Sequence, residues 1–150
     1  LYAGTFFGGA FKTTTAGASW SAINSGLTGT FVILVVDPSA PATLYAGTSN
    51  GVANVFKTTD GGANWTVASS GLPSPGAGDF AVAASAPGTV YFSNAGRVHR
   101  STDAGATWHP AELGLEGLSI DSLAIDPSDA ATVYATTLNG GVFKTTTGGQ

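Results

Sequence analysis

The 150-residue chain contains no cysteine and no methionine, and only 9% of its residues are charged. Without cysteine there is neither a disulfide framework nor thiolate chemistry. Five lysines and arginines and a net charge of -4 argue against a nucleic-acid partner, because cations dominate binding to a phosphate backbone. The longest apolar run, Phe31 to Val36, is too short to cross a bilayer and predicts a strand buried on both faces. No signal-peptide pattern is found, and no membrane insertion is expected.

What the chain does contain is abundant glycine, 22 residues spread along its length, and an internal repeat. The three tryptophans, Trp20, Trp65 and Trp108, are 45 and 43 residues apart. Each ends a similar string: FKTTTAGASW at 11–20, FKTTDGGANW at 56–65 and HRSTDAGATW at 99–108. A fourth copy, FKTTTGG, begins at Phe143, and its tryptophan would fall two residues beyond Gln150. A repeat with this period is typical of solenoids and propellers.

Two further markers keep the same period. The string LYAGT at 1–5 recurs at 44–48, with related strings at 90–94 and 133–137. A Gly-Leu pair follows each tryptophan, at 26–27, 71–72 and 114–115. Each unit therefore reads as four short strands: an apolar run, the Leu-Tyr-Ala-Gly-Thr strand, the Val-Phe-Lys-Thr strand and a strand that opens with tryptophan.

Four strands in a period of about 40–45 residues predict an all-β fold, a β-propeller of four-stranded antiparallel blades. The predicted blades cover residues 1–30 (the last three strands only), 31–72, 73–115 and 116–150 (the first three strands only). This makes about three and a half blades, and closed propellers have about four to eight.

The incomplete count of blades and the absence of an initial methionine predict a piece of a larger propeller of about six to eight blades. The remaining blades of the parent chain would then be its partners. A homodimer is the alternative, but merging the incomplete blades of two copies would place six strands in one blade.

The string Ser/Thr-x-Asp-x-Gly-x-x-Trp resembles the Asp-box of BNR-repeat proteins. That family includes sialidases, xyloglucan-degrading glycoside hydrolases, sortilin-type receptors and photosystem assembly factors. The resemblance implies a propeller, an extracellular, cell-surface or periplasmic location, and a structural rather than catalytic box. Thr15 and Thr147 stand where the box has aspartate. The box residues are Thr13, Thr15, Gly17 and Trp20; Thr58, Asp60, Gly62 and Trp65; and Ser101, Asp103, Gly105 and Trp108.

The box composition has a physical explanation. An aspartate in a hairpin accepts hydrogen bonds from the backbone amides of its own turn. We expect Gly62 and Gly105 to supply a positive φ, and the tryptophans to bury their rings against neighbouring strands. We expect the hydroxyl of Thr15 to replace part of the carboxylate's role. His99, which stands where other copies have phenylalanine, is expected to pack in the core.

Residues outside the repeat are the candidates for function. The loops between the second and third strands, and those between blades, should share the face on which propellers usually bind ligands. The candidate binding residues are Phe6, Phe7, Asp79, Arg97, Glu112, Glu116 and Asp121. The two phenylalanines could stack on a sugar ring or a partner's apolar patch, or one could pack down against the blade. The carboxylates could include half of a glycosidase pair or be solvated loop residues.

Three functions remain open at this level. The first is a non-catalytic scaffold of a secreted or surface protein that recognises a carbohydrate or a protein. The second is part of a glycoside hydrolase, xyloglucanase-like or sialidase-like. A sialidase centre would require several arginines, and only Arg97 lies outside the repeat. The third is a photosystem-assembly-type factor. We predict no catalytic residue, metal or cofactor, since no metal-binding spacing, Ser-His-Asp constellation or phosphate loop is present.

Overall fold

The structure, a computed structural model, describes residues 1–49, 55–73, 78–94, 96–111 and 114–150. Within these ranges it is all-β, with no helix. The fourteen strands are β1 (Tyr2–Gly4), β2 (Ala10–Lys12), β3 (Ser21–Ala22), β4 (Phe31–Val36), β5 (Leu44–Ser49), β6 (Val55–Thr58), β7 (Thr66–Val67), β8 (Phe80–Val82), β9 (Val90–Asn94), β10 (Arg97–Ser101), β11 (His109–Pro110), β12 (Ile120–Asp126), β13 (Asp129–Thr137) and β14 (Gly141–Thr145).

The strands form four antiparallel sheets in which neighbours in sequence are neighbours in space. Their orders are β1-β2-β3, β4-β5-β6-β7, β8-β9-β10-β11 and β12-β13-β14. Strand β5 is the buried centre of the second sheet, and its residues Leu44 and Ala46 pair with Val36 and Leu34 of β4. Short meanders of this kind need only tight turns, which the abundant glycine provides.

The strand bounds differ from the predicted ones in three places. The apolar strand β4 lies at the edge of its sheet, so most of its residues are half-buried rather than buried on both faces. Strand β8 ends at Val82, whereas the repeat predicts its apolar strand over residues 80–85. Strands β12 and β13 are longer than the ranges that the repeat predicts, 122–125 and 133–137. They pair with a register shift between Ile120 and Ser122, which makes Asp121 a bulge residue.

By contact density, the described residues divide into two compact units, Leu1–Ala68 and Ser69–Pro73 with Gly78–Gln150. The first unit has a buried cluster that includes Leu44, Phe56 and Trp65. The second has a separate cluster of buried residues that includes Tyr91 and Val133. No described segment forms a helix long and apolar enough to span a membrane.

One cation of every sheet lies over a tyrosine ring on the adjacent strand. The distances from the cation to the ring centroid are 5.4 Å for Lys12 over Tyr2, 5.8 Å for Lys57 over Tyr45, 5.7 Å for Arg100 over Tyr91 and 5.4 Å for Lys144 over Tyr134. The two residues of each pair are directly opposite in the strand register. Such contacts contribute roughly 0.5–1 kcal/mol at exposed sites. These four cations are therefore part of the scaffold.

Candidate functional site

The hairpin around Asp60 is closed by its own side chains. The Thr58 hydroxyl donates to Asp60 Oδ1 at 2.6 Å and accepts from the Gly62 amide at 3.1 Å. The backbone amide of Asn64 donates to Asp60 Oδ1, and its side-chain amide donates to Oδ2, both at 2.9 Å. Both carboxylate oxygens of Asp60 thus serve the turn, as the sequence predicts.

The hairpin around Asp103 has the same geometry. Ser101 Oγ donates to Asp103 Oδ1 at 2.7 Å and accepts from the Gly105 amide at 2.8 Å. Thr107 donates its backbone amide to Oδ1 at 2.8 Å and its hydroxyl to Oδ2 at 2.5 Å. As predicted, Gly62 and Gly105 have positive φ angles, 93° and 85°, which favour glycine.

These hydrogen bonds stabilise the ionised carboxylates. The Thr107 hydroxyl, the Thr107 amide and the Ser101 hydroxyl together lower the pKa of Asp103 from 3.8 to about 2. The Thr58 hydroxyl is the largest cause of an even lower pKa at Asp60. A carboxyl group held ionised in this way is a poor general acid. The two aspartates are turn-forming residues.

We expect the carboxyl carbon of Asp103, followed by NMR, to titrate near pH 2 rather than 3.8. Because the folded-state pKa is the lower one, the stability that Asp103 contributes is full above about pH 4 and is lost as the pH falls towards 2. Thr107→Ala should raise this pKa, whereas Thr107→Ser keeps the hydroxyl and should not. An unshifted midpoint in the unmodified chain would contradict the assignment.

In the two hairpins that lack aspartate, threonine forms part of the same network. Thr15 Oγ1 accepts from the Ser19 amide at 3.0 Å, and Thr13 Oγ1 accepts from the amides of Thr15 and Gly17. Thr145 and Thr147 repeat the pattern near the end of the chain. The turn at Thr15 keeps as many side-chain hydrogen bonds as the aspartate hairpins, but its acceptor is a neutral hydroxyl rather than a charged carboxylate, and hydrogen bonds to charged groups are the stronger ones.

The three tryptophans are not equivalent, contrary to expectation. Trp65 and Trp108 are buried, with 4% and 2% of their surface exposed, whereas Trp20 is 44% exposed. Trp65 packs beside the preceding sheet: its indole N–H donates to the Ile23 carbonyl at 2.7 Å, and its amide donates to the Ser25 carbonyl at 2.9 Å. Among the described residues, no sheet lies against the ring of Trp20 in this way.

Phe6 and Phe7 lie at the tip of the β1–β2 hairpin, and both rings are exposed, at 60% and 83%. Their centroids are 4.9 Å apart in an edge-to-face arrangement. Thr5 fixes the hairpin, because its hydroxyl donates to the Gly9 carbonyl at 2.8 Å and accepts from the Gly8 amide at 3.0 Å. Neither ring is buried beneath the hairpin, so the chain presents an aromatic pair to solvent.

A shallow groove of about 180 Å³ adjoins this pair, lined by Phe7, Gly8, Gly9, Asn24, Leu27 and Gly29. Asn24 connects its two sides, since Oδ1 accepts from the Ala10 amide at 2.7 Å and Nδ2 donates to the Gly8 carbonyl at 3.2 Å. Asn24 is a groove residue that is not among the candidates predicted from the sequence. Its only signal was its position four residues after Trp20, at the start of a connection between sheets.

Among the candidate carboxylates, Asp79 is engaged in the packing of the second unit. Its Oδ2 accepts from the Ser122 hydroxyl at 2.7 Å and from the Leu123 amide at 2.8 Å, which brings Asp79 beside the bulge at Asp121. Glu116 Oε2 accepts from the Gly114 amide at 2.9 Å within its own loop. Glu112 lies outside the described residues.

Arg97 is exposed at the start of β10, and His99 is buried two residues further along the same strand. Burial, with a smaller contribution from the charge of Arg97, lowers the pKa of His99. Its Nδ1 has no hydrogen-bond partner among the residues that the structure describes. His99 therefore packs as a neutral core residue. Within the described ranges no three His, Cys, Asp or Glu side chains converge on a possible metal site.

Solved structures resemble the chain in fold. The chain superposes on an ancestral GH74 enzyme with a TM-score of 0.77 and 20% identity, covering 98% of this chain and 21% of that one. Each sheet is a blade of a β-propeller. The GH74 xyloglucanase from Xanthomonas campestris gives a TM-score of 0.73 at 16% identity, covering 99% of this chain and 27% of its own.

YCF48 from Cyanidioschyzon merolae also resembles these propeller blades, with a TM-score of 0.57 and 18% identity over 79% of this chain and 34% of that one. The chain thus spans between about a fifth and a third of the length of these three structures. At such identities the likeness concerns the fold. No protein-family model and no curated protein sequence matches the chain.

Proposed function

We propose that this chain is a non-catalytic propeller scaffold, built from Asp-box repeats, whose loop face binds a polysaccharide. In the proposal the parent protein is secreted or displayed at the cell surface. The observation that carries it is the exposed Phe6–Phe7 pair beside the groove at Asn24. The two acidic hairpins support the repeat assignment, because their carboxylates close turns and are not available for catalysis.

The chemistry of the groove suits a sugar. Exposed pairs of large aromatic rings expose apolar surface to water and commonly mark binding sites. Pyranose rings present apolar C–H faces that pack on aromatic rings, and hydroxyls that need polar partners. Phe7 provides the first kind of surface, and the carbonyls and the Asn24 amide of the groove provide the second. Two of the similar propellers are GH74 enzymes, one of them a xyloglucanase.

Replacing Phe7 with alanine is expected to weaken binding of soluble xyloglucan about tenfold or more, as loss of a central aromatic contact commonly does. Affinity electrophoresis or titration calorimetry measures this. Leu138→Ala is the matched control, because Leu138 is 67% exposed in a β13–β14 hairpin closed by Thr137 as Thr5 closes its own. Equal binding by Phe7→Ala and the unmodified chain would refute the proposal.

A glycoside hydrolase is the second candidate, and the contact between Asp79 and Ser122 favours it. That contact brings one loop carboxylate beside the bulge that displays Asp121, and bulges often re-aim side chains near active sites. Asp79→Asn or Asp121→Asn should then abolish xyloglucan hydrolysis by the full-length protein, while xyloglucan binding persists. Unchanged hydrolysis in both variants would remove these residues from the reaction.

A protein ligand is the third candidate. One of the similar propellers is YCF48 bound to a D1 peptide, at 12% identity and a TM-score of 0.57 over 84% of this chain. If the Phe7 loop serves a peptide, the Phe7→Ala variant should lose peptide binding and leave polysaccharide binding unaffected. Five cations and a net charge of -4 leave nucleic acid without support as a partner.

A further inference from the structure

The hairpin between β13 and β14 contains an exposed asparagine followed by a glycine, Asn139 and Gly140. The Thr137 hydroxyl closes this hairpin, because it accepts from the Gly140 amide at 2.9 Å and donates to the Gly141 carbonyl at 3.2 Å. The side chain of Asn139 makes no hydrogen bond to any residue that the structure describes. Its amide group is therefore free to move against the backbone of the residue that follows.

The packing of the hairpin requires glycine at position 140. An added Cβ would lie 2.8 Å from Thr137 Oγ1 and 3.3 Å from the ring of Phe143, and the first of these separations is too short for a carbon atom. Gly8, the counterpart in the first sheet, is crowded in the same way. Both hairpins thus exclude a side chain at this position, and in the fourth sheet the residue before it is an asparagine.

An asparagine followed by glycine permits a reaction that needs no enzyme. The backbone nitrogen of Gly140 adds to the side-chain carbon Cγ of Asn139 and closes a five-membered succinimide ring. The amide proton of Gly140 is lost to solvent, and the side-chain nitrogen of Asn139 takes up a proton and leaves as ammonia. Water then opens the ring at either carbonyl and leaves aspartate or isoaspartate. Because glycine has no Cβ, no side chain on residue 140 shields the attacking nitrogen.

We propose that Asn139 is a site of spontaneous deamidation in the folded chain, through which the β13–β14 hairpin gains a carboxylate. Thr137 slows the reaction, because the Gly140 amide proton that must be lost is donated to its hydroxyl. The isoaspartate product adds one carbon to the backbone between residues 139 and 140. That extra carbon displaces the Gly140 amide from Thr137, so the product loosens the hairpin.

A second bond of related chemistry, between Asp60 and Gly61, is protected by the fold. Aspartate before glycine forms the same ring, but the Asp60 carboxylate accepts from the backbone and side-chain amides of Asn64. The Gly61 amide donates to the Ala42 carbonyl at 2.9 Å. Both reacting groups are held in place there, whereas the side chain of Asn139 is not. We therefore expect no isoaspartate at residue 60.

The test compares the folded chain with the same chain in guanidinium chloride, both kept in a neutral buffer. Samples are taken over time, fully denatured, digested with trypsin and analysed by mass spectrometry. The tryptic peptide 101–144 contains Asn139 as its only asparagine, so a mass gain from replacement of –NH₂ by –OH is assigned without ambiguity. In the folded chain this gain should be slower than in the denatured chain by no more than about tenfold, the factor that one hydrogen bond provides.

Other peptides of the same digest are internal controls. The peptide 58–97 contains Asn64 and Asn94, neither of which precedes a glycine, and it should show no comparable gain. An asparagine and a glycine also follow one another at 50–51, outside the described residues, and fall in a separate peptide, 13–57. An isoaspartate-specific methyltransferase should label peptide 101–144 of the folded chain and leave 58–97 unlabelled.

Three variants separate the roles of the two side chains. Asn139→Gln should remove the mass gain, because the longer side chain cannot close a five-membered ring. Thr137→Val should accelerate deamidation of the folded chain about two- to tenfold, since the Gly140 amide loses its acceptor. Thr137→Ser keeps the hydroxyl and should leave the rate unchanged.

Deamidation of the folded chain at residue 139 within about tenfold of the denatured rate, absent from Asn139→Gln, supports the proposal. A gain in peptide 101–144 no greater than that in 58–97, or one slowed far more than tenfold by folding, would overturn it. Equal rates in Thr137→Val and Thr137→Ser would contradict the role of the hydroxyl. Labelling of 58–97 by the methyltransferase would contradict the protection of Asp60.

Discussion

Replacing Trp65 with alanine is expected to lower the free energy of unfolding by about 3–5 kcal/mol, a large share of the stability of an ordinary domain. The change removes a 96%-buried indole from the cluster around Leu44 and Phe56 and leaves a cavity. It also removes the indole N–H that satisfies the Ile23 carbonyl. Urea denaturation followed by circular dichroism measures the loss.

The matched control is Trp20→Ala, which removes the same side chain from the same repeat position. Trp20 is nearly half exposed, so this change should cost about 1 kcal/mol or less. The contrast tests whether packing beside the preceding sheet gives the tryptophan its stabilising effect. Similar losses in the two variants would show that the tryptophan acts within its own hairpin instead.

Gly71→Ala is the second change with a large expected effect, about 2–5 kcal/mol. Gly71 has a φ of 92°, where an alanine is strained, and an added Cβ would overlap the carbonyl oxygen of Trp108. The backbone cannot retreat without loss, because the Trp108 amide donates to the neighbouring Ser70 carbonyl at 2.9 Å. Thermal and urea unfolding of the variant give the measurement.

Gly114→Ala separates the two causes. Gly114 occupies the same repeat position, and its φ of 86° imposes similar strain, but no atom of the described part of the chain lies within 4 Å of the added carbon. We expect a loss of about 1–2 kcal/mol from strain alone. If both glycines prove equally sensitive, the steric contact with Trp108 contributes nothing.

The local structure could be predicted because it depends on neighbours in sequence. Each acidic hairpin forms within eight residues, so Thr58, Asp60 and Gly62 contain the information for their own turn. The approximate positions of most strands could be predicted from the repeat period for the same reason. The shorter β8 falls in the third repeat, whose strings VYFSN and HRSTDAGATW differ most from those of the other repeats.

Features that depend on contacts with other sheets could not be predicted from the sequence. The burial of Trp65 and the exposure of Trp20 differ because, among the described residues, only Trp65 packs beside another sheet, at Ile23. Nothing in the sequence indicated that the Asp79 carboxylate would accept a hydrogen bond from Ser122, 43 residues away. The exposure of both Phe6 and Phe7 depends on Thr5 holding the hairpin narrow, a hydrogen-bond pattern that composition does not reveal.

The location of the lysines and arginines within strands has a consequence for proteolysis. Trypsin cleaves after lysine and arginine, and all five of these residues lie in strands: Lys12, Lys57, Arg97, Arg100 and Lys144. A protease must draw several residues of extended chain into its cleft, which a strand paired within a sheet does not release. We therefore expect trypsin to cleave only after a sheet has unfolded locally. The rate at which the intact chain disappears from an electrophoresis gel then measures that local unfolding.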